Sequence, residues 1–137
     1  MYSFSLNNDG VFRLPFFLLL LLLQNKYGET ALTQAAEFGH DTVIPLLLEA
    51  DAQIDAQRDD GFTPLIRASY RGQEAAVREL LKGNPNLDLK DKSGKTALDW
   101  AREKVQISSR PHTPASRRVE KNNYQSIVDL LVNHERS

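Results

Sequence analysis

The glycines of this 137-residue chain recur on a fixed period. Gly28, Gly61 and Gly94 stand 33 residues apart, and Gly39 and Gly72 keep the same spacing. Each of the first three opens a matching phrase: Gly28-Glu29-Thr30-Ala31-Leu32, Gly61-Phe62-Thr63-Pro64-Leu65 and Gly94-Lys95-Thr96-Ala97-Leu98. An alanine follows three residues after each leucine, at Ala35, Ala68 and Ala101. An aliphatic block comes later, at Val43–Leu48, Ala76–Leu81 and Ile127–Val132. A period of roughly 20–50 residues marks a stacked architecture, because one such unit cannot bury its own apolar face.

Local chemistry divides each unit into two helices. Thr30, Thr63 and Thr96 are good N-caps, since a hydroxyl accepts from an orphan N–H of the first turn. Pro64 then falls in a first turn, where its missing N–H costs nothing. Gly39 and Gly72 end the first helix at a position that favours a left-handed residue. Val43, Leu46 and Leu47 give the second helix an apolar stripe at i, i+3 and i+4. Pro45 removes one early hydrogen bond there, so repeat one is expected to be less stable than repeat two. Polar segments at 51–60 and 84–93 close the units.

This pattern over residues 25–137 resembles the ankyrin repeat family. The resemblance implies a mainly α solenoid of about three helix-turn-helix repeats joined by β-hairpin finger loops. Residues 25–57 form repeat one, 58–90 repeat two and 91–137 repeat three. Ile54 matches Leu87 on the fingers, and Asp55 matches Asp88. The family's T-P-L-H phrase has Thr33, Ile66 and Asp99 in the histidine place. Val105 stands where the helix-separating glycine belongs in repeat three.

Repeat three is stretched. Val77 and Val128 are 51 residues apart where the period requires 33, so about 18 residues are inserted near 105–122. Ser108, Ser109, Pro111, Thr113, Pro114 and Ser116 give the insert a loop composition. Arg110, Arg117, Arg118 and Lys121 against Glu120 give it a net charge of +3. Thr113 and Ser116 are candidate phosphorylation sites, where phosphate would cancel part of that charge.

Residues 1–24 lie outside the period. Leu14–Leu23 reads LPFFLLLLLL. Ten apolar residues are too few for a membrane span of about 20. The run is expected to fold as an apolar helix capping repeat one; a secretory signal or membrane anchor at 1–23 is the alternative.

The net charge of -1 argues against a nucleic-acid binder relying on bulk charge. With no cysteine, disulfide scaffolds, thiol enzymes and cysteine-ligated metal sites are excluded. That absence fits an intracellular, cytoplasmic setting. His40, His112 and His134 have no metal-ligand spacing, and no cofactor motif is present. Asp59 and Asp60 lie on an exposed finger and are poor acid–base candidates. No enzyme activity is expected.

The resemblance implies a protein partner bound on a concave face of finger tips and first helices. By position, repeat one offers Lys26, Tyr27, Glu29, Glu37 and Phe38. Repeat two offers Asp59, Asp60, Phe62, Tyr70 and Arg71. Repeat three offers Lys92, Ser93, Lys95, Glu103 and Lys104. Tyr70 and Arg71 are the leading pair, being hot-spot residue types in the central repeat. Trp100 is expected to pack, toward the insert, rather than to bind. Two other readings are a membrane-associated or secreted protein using 1–23, and a regulatory subunit that occludes an enzyme with the insert as an arm.

Overall fold

A computed structural model describes residues 23–110 and 115–137. The expectations for 1–22 (cap, signal or anchor) and for Thr113 lie outside the described residues. Six helices and no strand occur among the described residues: α1 Ala31–Glu37, α2 Val43–Glu49, α3 Pro64–Arg71, α4 Glu74–Lys82, α5 Ala97–Ser108 and α6 Ala115–Arg136.

The three threonines cap as the sequence indicates. Thr30, Thr63 and Thr96 accept from the backbone N–H of Thr33, Ile66 and Asp99 at 3.3, 3.1 and 3.2 Å. Asp99 returns the bond to the Thr96 N–H, which completes a capping box. Gly72 ends α3 with φ 75°, and Gly39 follows α1 with φ 73°.

The helices stack in two rows. α1, α3 and α5 pack in sequence as an inner row, and α2, α4 and α6 as an outer row. Leu32, Ile44, Ile66, Val77, Leu80, Ile127 and Leu131 are the largest apolar side chains sealed between them.

Three expectations are corrected. First, most of the segment read as a loop at 105–122 is helix. α5 runs 12 residues where α1 and α3 run seven and eight. Val105 replaces the glycine that would stop it, so nothing favours a left-handed exit there. After Pro114 the chain has no glycine or proline, and α6 continues for 22 residues.

Second, the fingers are turns rather than β-hairpins. Each closes with the same bonds. Asn25, Arg58 and Asp91 donate their N–H to the carbonyls of Glu29, Phe62 and Lys95, and Gly28, Gly61 and Gly94 donate back to residues 25, 58 and 91. One such closure is too short to make a strand ladder. Successive fingers are linked by Asp59 N–H to the Tyr27 carbonyl and Lys92 N–H to the Asp60 carbonyl, at 3.1 and 3.0 Å.

Third, the inward face of α2 carries Ile44, fully buried, with Leu47 and Leu48 half-buried. Val43 and Leu46 turn outward, exposed by 41% and 63%. Pro45 is the third residue of α2, within the first turn, whose N–H groups have no intrahelical partner in any case. Its cost there is small.

Candidate functional site

The 33-residue register lays the inner surface out as columns. One column is Gln34, Arg67 and Trp100; the next is Glu37, Tyr70 and Glu103; a third is Glu29, Phe62 and Lys95. The inner helices hold the first two columns, and the third rises from the finger bases. Where repeats two and three meet, these columns bring aromatic rings and cations together.

Tyr70 and Trp100 meet edge to face, with centroids 4.9 Å apart at 87°. Phe62 completes the cluster, 5.7 Å from Tyr70 and 6.0 Å from Trp100. Offset and edge-on aromatic pairs of this kind add about 0.5–1.5 kcal/mol beyond area burial. Cations flank the rings. Lys95 Nζ lies 4.0 Å from the Trp100 ring and Lys104 Nζ 4.1 Å from the Tyr70 ring. The Arg67 guanidinium is 5.4 Å from Phe62 and 5.6 Å from Tyr70. Each such contact contributes roughly 0.5–2 kcal/mol and orients a long side chain.

Carboxylates fix two of these cations, Arg67 and Lys95, and two further arginines. Glu37 Oε1 accepts from Arg67 at 2.6 Å and lies 3.8 Å from Arg71. Lys95 pairs with Glu103, and Arg58 bridges Glu29 and Asp60. The hydrogen bond from Arg67 and the nearby arginine charges hold Glu37 below the usual carboxylate range, against the opposing effect of its burial.

Asp91 anchors the third finger to this wall. Its Oδ1 accepts from Ser93 N–H, Ser93 Oγ and Lys95 N–H at 2.9, 2.6 and 3.0 Å. Its Oδ2 accepts from Trp100 Nε1 at 2.7 Å. Burial pushes its pKa up, but the hydrogen bonds from Ser93, Lys95 and Trp100 outweigh it and hold the carboxylate ionised.

The expected contact residues therefore separate. Phe62, Tyr70, Lys95, Glu103 and Lys104 come together. Phe62 and Glu37 are buried, at 9% and 8% exposure, so they support the wall rather than present a surface. Ser93 spends its hydroxyl on Asp91. Lys26 lies over Tyr27 on finger one, 5.0 Å from the ring, while Asp59 and Lys92 project from fingers two and three. Glu29 and Asp60 flank Arg58. Arg71 is exposed at the end of α3, and Phe38 stands apart beside His40.

Trp100 is a correction. It packs on Tyr70 and Phe62 rather than toward the insert, and it remains half-exposed. Sequence reasoning also passed over Arg67 and Asp91. Arg67 is one period before Trp100, and Asp91 shares its position with Asn25, whose Oδ1 accepts from Tyr27 and Glu29 N–H in the same way. His40 holds the start of α2 through its backbone carbonyl, which accepts from Val43 and Ile44 N–H.

Chemically the wall is a half-exposed surface of packed rings and paired charges. Among the described residues no cluster of three His, Cys, Asp or Glu could hold a metal ion. No described helix is long and apolar enough to cross a membrane.

Comparison with known proteins agrees with the period. A family model described as "Ankyrin repeats (3 copies)" matches residues 46–137, and one described as "Ankyrin repeat" matches 27–59. Among curated proteins, the chain is 38% identical over 80 residues to "Protein phosphatase 1 regulatory subunit 12A" of Mus musculus. It is 38% identical over 78 residues to "Ankyrin repeat and SAM domain-containing protein 6" of Mus musculus. To "Neurogenic locus notch homolog protein 1" of Xenopus laevis it is 35% identical over 80 residues. These matches cover 58%, 56% and 58% of this chain but only 8%, 9% and 3% of the relatives.

Proposed function

Because the chain belongs to the ankyrin repeat family, whose members are generally non-catalytic and mediate protein–protein interaction, we propose that it is a binding module or adaptor. Its repeats are 25–57, 58–90 and 91–137, and its partner is a protein held on the finger and inner-helix surface. The observation that carries this reading is the Tyr70–Trp100–Phe62 cluster with Lys95 and Lys104 laid on its rings. Tyr, Trp and Arg are the residue types that dominate binding hot spots. Rings and cations already held in place lose little further entropy on binding.

The test begins with the intact chain as bait and identification of the protein it retains. Tyr70→Ala with Arg71→Ala is expected to raise the Kd of that complex at least tenfold, about 1.4 kcal/mol. The pair Lys95→Glu and Lys104→Glu, which leaves the sealed core intact, is expected to do the same. Circular dichroism of both variants should stay helical. An unchanged Kd in both would refute the surface.

A second reading draws on the relative described as a regulatory subunit. In it, the chain regulates an enzyme through the residues inserted near 105–122. Deleting 109–119 would then abolish the regulatory effect while leaving capture by the repeats in place. Loss of both together would speak for the simple module.

A further inference from the structure

The register gives the wall a fourth column, Phe38, Arg71 and Lys104, one residue beyond Glu37, Tyr70 and Glu103. Phe38 is exposed by 58% and the Arg71 side chain by 45%. Lys104 is half-exposed. The cations of this column are paired more weakly than their neighbours. Lys95 has Glu103, and Arg67 has Glu37. Arg71 reaches only the same Glu37 oxygen, at 3.8 Å, where Arg67 already sits at 2.6 Å. Among the described residues no carboxylate lies within ion-pair distance of Lys104, whose Nζ rests 4.1 Å from the Tyr70 ring. Near the fingers the balance is reversed, since Arg58 alone bridges Glu29 and Asp60. Beyond Lys104 is a hollow of about 330 Å³, lined also by Ile107, Ser108, Glu120 and Tyr124. Tyr124 ties it to α3 by donating to the Tyr70 carbonyl at 3.1 Å. Glu120 is the acid nearest this edge, and it is exposed.

Resting on the binding-module reading above, we propose that this column takes an extended acidic segment of the partner protein, with two carboxylate side chains on Arg71 and Lys104 and an apolar one on Phe38. Spacing supports that occupant. Equivalent positions on adjacent stacked helices lie roughly 8–10 Å apart. Alternate side chains of an extended peptide point the same way about 7 Å apart, and the long Arg and Lys side chains span the difference. Two separated cations match two single charges, whereas one phosphate wants donors converging on one point. A terminal carboxylate is captured by clustered backbone N–H groups. Here α1 and α3 present their carbonyl ends instead.

The probe is a dye-labelled peptide capped at both ends, TLTETET, titrated with the intact chain by fluorescence anisotropy beside TLTQTQT and TLTKTKT. The acidic form is expected to bind roughly tenfold more tightly than either control. It should weaken as salt rises from about 0.1 M to about 1 M. Arg71→Glu with Lys104→Glu is expected to invert the order, so that the lysine form binds best. Both positions lie outside the sealed core, and circular dichroism checks that the variant stays helical. Glu120→Gln removes a competing carboxylate and should tighten the acidic form by roughly twofold. Equal binding of the three peptides, or no saturable binding of the acidic one, would overturn the proposal. Weaker binding by Glu120→Gln would do the same. So would tighter binding of TLTSTST carrying one phosphoserine, since phosphate would then be the occupant. A captured partner that responds to the wall substitutions, while the peptides show no charge preference, would leave the docking surface standing and overturn only its acidic specificity.

Discussion

Asp91 serves both the third finger and the wall. One carboxylate shapes the third finger through Oδ1 and holds Trp100 through Oδ2. Asp91→Ala leaves those donors unpaired and is expected to cost about 1–3 kcal/mol, read as a lower Tm. Asp91→Asn should cost less, because Asn25 shows that an amide oxygen serves the Oδ1 role. The folded pKa of Asp91 lies below its ordinary value. Its contribution is therefore complete above pH about 4 and is lost as the pH falls through the lowered value. Denaturant midpoints at pH 7 and pH 3 should thus differ more in the native chain than in Asp91→Asn. Gly61 makes a second residue-scale case. Its φ is 85°, and an added Cβ would sit 2.8 Å from Asp91 Cα. Gly94, with φ 80°, has nothing within 4 Å. Gly61→Ala is expected to lower the Tm clearly more than Gly94→Ala, since backbone strain is common to both and the clash is not. The need for glycine was legible in the spacing. The Asp91–Trp100 bond was not, because Arg58 interrupts the Asn25–Asp91 column and the indole reaches back only in the folded repeat.

At the scale of the element, caps were legible and directions were not. Threonine and glycine act through their own backbone neighbours, so the sequence places both helix starts and the exits after α1 and α3. The block Val43–Leu48 is apolar at every position. A stripe with no polar gap carries no phase, and Ile44 rather than Val43 proved to face inward. The insert misled for a related reason. Its loop-forming residues are concentrated near Ser108–Ser116, yet the helices on either side absorb most of its length. Thr63, buried at 2% exposure, caps the central inner helix. Thr63→Ala is expected to cost about 1–2 kcal/mol in denaturant unfolding. Val105→Gly, the ninth of the 12 residues of α5, is expected to cost of order 1 kcal/mol through helix propensity and lost packing.

For the whole molecule, stability and the layout of the aromatic wall have the same source in the stacking of repeats. Leu80 is fully buried in the central repeat, between neighbours on both sides. Leu80→Ala is expected to cost about 2–5 kcal/mol and to lower one shared transition, because each repeat is stabilised mainly by its neighbours. The same stacking aligns the columns that make the wall at Tyr70 and Trp100. The register made those columns legible, but not the pairing within them, since Glu37–Arg67 and Lys95–Glu103 depend on how far the side chains reach between repeats. The central claim is that a partner protein docks on the finger and inner-helix surface. Hydrogen exchange of the chain, free and with its captured partner, tests this most directly. Slower exchange at amides 59–62 and 92–95, with the outer helix α4 unchanged, is the expected result. Protection confined to α4 and the 82–86 segment, with the fingers unchanged, would contradict the account.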